Sequence, residues 1–117
     1  MLKLKRMWFK FLLNKGNLIT IDERHRGIGK TTMLIEIAKK HDNAIVVGSQ
    51  LQYDNIKSRE PHINVYRLAE GFTIDLRDQE GRVMVDESLS PKMVKWLQEN
   101  PSFEVVGGFI YKEKDDK

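Results

Sequence analysis

The chain has 117 residues, 32% of them charged and 40% hydrophobic, and a formal net charge of +3. That is the length of one domain with a real core, and the charge is too mild to name a nucleic-acid partner by itself. With no cysteine in the chain, disulfides, thiolate zinc sites and thiol catalysis are excluded, which suits a reducing compartment.

Residues 1–16 read as a basic amphipathic helix. Leu4, Met7, Trp8, Phe11 and Leu12 recur at helical spacing, while Lys3, Arg6, Lys10 and Asn14 share the other side. Lys10 interrupts an apolar run already too short to span a bilayer, so no transmembrane segment is expected. No small-residue cleavage site follows the basic start, which argues against a signal peptide. The expected role is packing on a sheet edge. Docking on a partner, a DNA backbone or a membrane surface are the alternatives. Trp8 and Trp96 are both expected in the core.

The domain proper spans residues 17–111 and opens on Asn17–Thr32, NLITIDERHRGIGKTT. Leu18, Ile19 and Ile21 favour a strand. Gly27 and Gly29 let the backbone curl so that several N–H groups face one anion, and the following helix adds its positive end. Thr32–Lys40 continues as that helix, with Met33, Ile35, Ile37 and Ala38 on its apolar face and His41-Asp42-Asn43 ending it. Ala44–Val47 is a short apolar run of the kind buried in parallel sheets. Gly48-Ser49-Gln50, at its C-terminal end, is small and polar enough to face a ligand crevice. A helix over Leu51–Ser58 is weakened by Asp54 and Asn55.

Pro61 marks a break, and Ile63–Leu68 reads as a strand. Ala69–Gly81 is a loop or irregular helix. Arg82–Glu87 is an apolar run that ends in two carboxylates, Asp86 and Glu87. Ser90-Pro91 starts a helix whose apolar face holds Met93, Val94, Trp96 and Leu97, and Asn100-Pro101 ends it. Phe103–Val106 is the last strand and runs into Gly107-Gly108-Phe109. Residues 112–117 form a charged tail. His25, His41 and His62 are too far apart for metal-ligand spacing.

Three stretches carry a resemblance, Arg26–Thr32, Val83–Ser88 and Val105–Phe109, of which the first two are specific. Gly27-Ile28-Gly29-Lys30-Thr31-Thr32 is similar to the phosphate-binding P-loop of nucleoside triphosphatases, with Arg24 where that pattern has its first glycine. Val83-Met84-Val85-Asp86-Glu87-Ser88 is similar to the Walker B strand. Their order resembles the RecA-like core of helicases and viral DNA-packaging ATPases, and more loosely small ATP-binding proteins of bacteriophages. The resemblance implies a three-layer α/β fold with a mostly parallel sheet of about five strands. The last strand would lie between the P-loop strand and the Asp-Glu strand, with Gly107-Gly108 at its γ-phosphate-sensing end.

The resemblance also implies ATP and Mg²⁺ as cofactors. Lys30 and the loop residues Arg26, Gly27, Ile28, Gly29, Thr31 and Thr32 would hold the phosphates. Thr31 and Asp86 would hold the metal, and Glu87 would activate water. ATP hydrolysis, aided by an oligomer, a larger ATPase partner or DNA, is the expected function. A non-hydrolysing nucleotide switch or binding module is the alternative. A small nucleotide kinase is a further one, with Arg59, Arg67, Arg77 and Arg82 as lid candidates. The expected location is the cytoplasm of a bacterium or of a virus-infected cell.

Overall fold

The computed structural model describes residues 2–21, 29–68 and 81–111, with side chains from Met7 onward in the first helix. Helix α1 spans Leu2–Asn14, strand β1 Leu18–Ile21, helix α2 Lys30–His41 and strand β2 Ala44–Val47. Helix α3 follows over Gln50–Arg59, then β3 over Val65–Arg67 and β4 over Gly81–Val85. Helix α4, Pro91–Glu99, and strand β5, Phe103–Tyr111, complete the order. The tail 112–117 and residues 69–80 of the expected loop lie outside the described residues.

All five strands run parallel in one sheet, in the order β1-β5-β4-β2-β3. The last strand thus lies between β1 and β4, as expected. Side chains alternate between faces along a strand. Ile45, Val47 and Met84 therefore join one core with Phe9, Leu13, Met33, Leu34 and Ile56, on the side of α1, α2 and α3. Val46, Val83 and Val85 join the other, beneath Val94 and Leu97 of α4. Both faces are covered, which is why β2 and β4 read as continuous apolar runs.

Parallel strands bring their C-terminal ends to one edge, and the chain leaves β1, β2 and β4 there. The helix starts at this edge differ. Ser49 caps α3 by accepting from the Gln52 backbone N–H at 3.1 Å. Gly29 precedes α2 in the left-handed conformation, φ 80°, and gives its first turn no side-chain cap. Helix α3 also starts one residue earlier than expected. Gln50 donates to Asp54 one turn on, at 3.0 Å, so a residue expected to weaken the helix supports it.

Three expectations need correction. Of the face that the spacing of α1 suggested, Leu12 packs against the core but Met7, Trp8 and Phe11 do not. Phe9 and Leu13 are buried, whereas Met7 (59%), Trp8 (56%) and Phe11 (48%) are exposed. The helix carries two apolar stripes, and tertiary partners choose between them. Phe9 meets Phe109 of the sheet with ring centroids 5.8 Å apart. Lys10 pairs with Glu36 at 3.0 Å, and Asn14 bonds His41 at 2.6 Å, both on α2. Trp8 is therefore not a core residue and stacks on Phe11 instead, at 5.5 Å; Trp96 is partly buried. Leu13→Ala should cost about 2–5 kcal/mol of stability and Trp8→Ala no more than about 0.5 kcal/mol, read from urea denaturation.

Second, β3 is shorter than Ile63–Leu68. Its three residues pair with β2 on one side only, at the sheet's edge. Third, Gly107-Gly108 does not end β5. The strand stays paired with β1 through Tyr111, and Gly108 lies between Leu18 and Val85. Pairing with β4 ends at Gly108, and β1 alone carries the apolar Phe109-Ile110 onward as sheet.

Candidate functional site

The edge where the strands end gathers the chemistry-bearing residues of three segments. Lys30 and Thr31 begin α2, Gln52 lies in the first turn of α3, and Asp86-Glu87-Ser88 follows β4. Thr31 and Asp86 meet through one group. The Gln52 side-chain amide donates to Thr31 Oγ1 at 3.1 Å and to Asp86 Oδ2 at 2.6 Å. The other Asp86 oxygen accepts from the Ser88 backbone N–H at 2.7 Å. Asp86 is 1% exposed. A buried carboxylate is tolerated only when its lone pairs are satisfied, and here both oxygens have donors.

The Asp86 loop is tied to the start of α3. Ser88 Oγ accepts from the Gly48 N–H at 2.7 Å, and a Cβ at Gly48 would lie 2.4 Å from the Ser88 carbonyl oxygen. Only glycine lets the two backbones approach so closely. Gly48-Ser49 thus sets the distance between β2's end and the carboxylates.

Glu87 is half-buried beside Asp86, and its Oε1 is enclosed without a hydrogen-bond partner. Burial pushes its pKa above the ordinary 4.5, and the neighbouring Asp86 charge pushes the same way. A backbone hydrogen bond and the Lys30 charge oppose the shift without cancelling it. A carboxyl shifted upward holds a proton more readily, the property required of a general base poised for turnover.

Of the residues expected at the site, Lys30, Thr31, Asp86 and Glu87 come to this one edge. Gly29 is the residue before α2. Thr32 turns to a different neighbour, accepting from the Arg59 guanidinium. Arg26, Gly27 and Ile28, with Arg24 before them, lie outside the described residues. Of the arginines considered for a lid, Arg59 donates to Thr32, Arg67 ends β3 at the same edge as the site, and Arg82 sits at the N-terminal end of β4, on the opposite edge of the sheet. Arg77 lies outside the described residues. Gln52 and Ser88 were not foreseen. Gln52's one signal is its position, two residues past Gln50 at the polar end of β2.

The donor set fits a hard divalent cation that keeps part of its water shell. Asp86 supplies a carboxylate and Thr31 a hydroxyl, both oxygen donors of the kind Mg²⁺ takes alongside phosphate oxygens and water. No group of three or more His, Cys, Asp or Glu side chains that could cage a metal occurs among the described residues. Nor is any described helix long and apolar enough to cross a membrane.

Comparison of the chain with protein-family models, with curated proteins and with solved structures gives no match.

Proposed function

We propose that the protein binds Mg-ATP at this edge and hydrolyses it, as a minimal single-domain P-loop ATPase related in plan to RecA-like cores. The observation that carries the proposal is the meeting of Thr31 and Asp86 on one amide beside Glu87. Two segments distant in sequence, each singled out by its motif, converge on one polar site. The strand order, with β5 between β1 and β4, supports it as well.

In this proposal Lys30 and the N-terminal turn of α2 bind the phosphates, and Thr31 and Asp86 hold the cation. Mg²⁺, when bound, neutralises charge that builds on the phosphate oxygens. Glu87 takes a proton from water as the water oxygen bonds to the γ-phosphorus, and the bond to ADP breaks with its electron pair on ADP. An arginine from a second subunit or partner would raise the rate by about 10³–10⁵.

Phosphate release from Mg-ATP, measured across protein concentration with and without DNA, tests the proposal. Turnover rising more steeply than protein concentration is expected if copies complete each other's sites, and stimulation by DNA would mark a nucleic-acid motor. ATP binding with no turnover under any condition would replace hydrolysis with a nucleotide-dependent switch or binding module.

A further inference from the structure

We infer that Gln52 is a positioning residue of the cation site, whose amide takes the cation's place in the nucleotide-free protein and withdraws when the cation enters. The inference rests on the nucleotide-binding proposal and adds to it a residue that neither motif contains.

The hydrogen-bond inventory leads there. A carboxylate and an accepting hydroxyl each offer lone pairs. One Gln52 nitrogen engages both, at 2.6 Å from Asp86 Oδ2 and 3.1 Å from Thr31 Oγ1. Those are the two oxygens that would hold a divalent cation, so amide and cation compete for the same pair. The amide nitrogen carries two hydrogens, enough for one bond to each oxygen. Asp86 is almost fully buried next to a second carboxylate, so without a cation its Oδ2 needs a donor.

The backbone under Gln52 is fixed. Its N–H is bonded to the Ser49 cap, and Gly48 is bonded to Ser88 in the loop that carries Asp86. Side-chain rotation is thus the movement that opens the site. Its cost is the bonds to Thr31 and Asp86 and a longer one its oxygen accepts from Asn55 Nδ2 at 3.4 Å, which a lone cation must overcome and a cation delivered with phosphates overcomes more readily. The amide therefore favours joint entry of cation and nucleotide over entry of cation alone.

The test is Mn²⁺ binding to the nucleotide-free protein, followed by electron paramagnetic resonance. Gln52→Ala should bind Mn²⁺ about tenfold or more tightly than the unmodified chain, the effect of two competing hydrogen bonds removed. Gln52→Met, which keeps the length and lacks the donor, should shift affinity the same way and covers the case in which the alanine variant folds poorly. Adding Asp86→Asn to either variant should abolish the gain. A residue that only stabilised the fold would lower the melting temperature and leave Mn²⁺ affinity unmoved. Equal or weaker Mn²⁺ binding by both folded variants overturns the inference. In parallel, a fluorescent ATP analogue is titrated into the unmodified protein with Mg²⁺. If it binds while the variants gain nothing, the role of Gln52 falls alone. If it does not bind, the nucleotide proposal falls and this inference with it.

Discussion

Glu87→Gln is expected to lower ATP turnover by about 10²–10⁴-fold, the usual contribution of a general base, and to leave ATP affinity within about threefold. The amide keeps the shape of the side chain but cannot take a proton. Single-turnover and binding measurements on the same preparation separate the two effects. The raised pKa adds a signature in pH. Turnover of the unmodified protein should fall on the acid side through a midpoint above 4.5, because protonated Glu87 is inactive. Residual turnover in the variant should lack that limb.

Stability should respond in the opposite sense. A carboxyl whose folded-state pKa exceeds its unfolded value binds a proton more tightly when folded. Its negative charge then weakens the fold above both values, and the penalty fades as pH falls from the raised value to the ordinary 4.5. Glu87→Gln should therefore be more stable than the unmodified chain at pH 7, with the difference gone below pH 4.5. Such a gain is the usual mark of a charge kept for chemistry rather than for folding. A variant no more stable at neutral pH would remove the burial argument for Glu87.

Gly108→Ala is expected to be the most damaging small substitution in the fold. Gly108 lies in β5 between two paired strands, and its φ is +135°. An added Cβ would lie 2.1 Å from the Val85 carbonyl oxygen and 2.6 Å from the Val85 nitrogen. Those are backbone atoms of the strand that delivers Asp86, so relief would require β4 and β5 to separate. Backbone strain and overpacking together should cost about 3–5 kcal/mol, a large share of the 5–15 kcal/mol that holds a typical domain together. Gly81→Ala is the control. Gly81 also has a positive φ, +120°, but no atom lies within 4 Å of its added Cβ. It should suffer the strain alone, about 1–2 kcal/mol. Similar losses in both, measured by urea denaturation, would refute the clash at Gly108.

The legible parts of the fold are those where one residue pattern permits one structure. Ala44–Val47 and Val83–Val85 are short apolar runs bounded by polar residues, and both are strands buried on two faces. Ser90-Pro91 starts α4 by the capping chemistry its residues imply, with Ser90 accepting from Met93 N–H at 3.3 Å. Patterns that permit two structures were read less well. Helix α1 carries two apolar stripes, and nothing local says that Phe9 and Leu13 will find Phe109 while Trp8 faces outward. Gly107-Gly108 looks like the end of a strand, yet glycine also serves where strands crowd. Val106 is the extra residue of a bulge there, since Val83 and Met84 pair with Val105 and Gly107.

The site divides along the same line. Lys30, Thr31, Asp86 and Glu87 stand in motifs that resemble phosphate- and metal-binding ones, so their meeting at one edge is readable in the sequence. Gln52 stands in no motif. It reaches Asp86 because β2 and β4 are neighbours and α3 starts directly above β2. That is a property of topology, and a single polar residue in a helix's first turn does not signal it.

The most direct test of the central claim is equilibrium binding of ATP to the unmodified chain and to Lys30→Ala, each in Mg²⁺ and in chelator. The expected result is saturable binding that requires Mg²⁺ and weakens by about 10²-fold or more when the Lys30 charge is removed, because a lost charge-assisted contact to phosphate leaves anionic oxygens unpaired. Equal binding by a folded Lys30→Ala variant, or no binding by the folded unmodified chain, would contradict the proposed site.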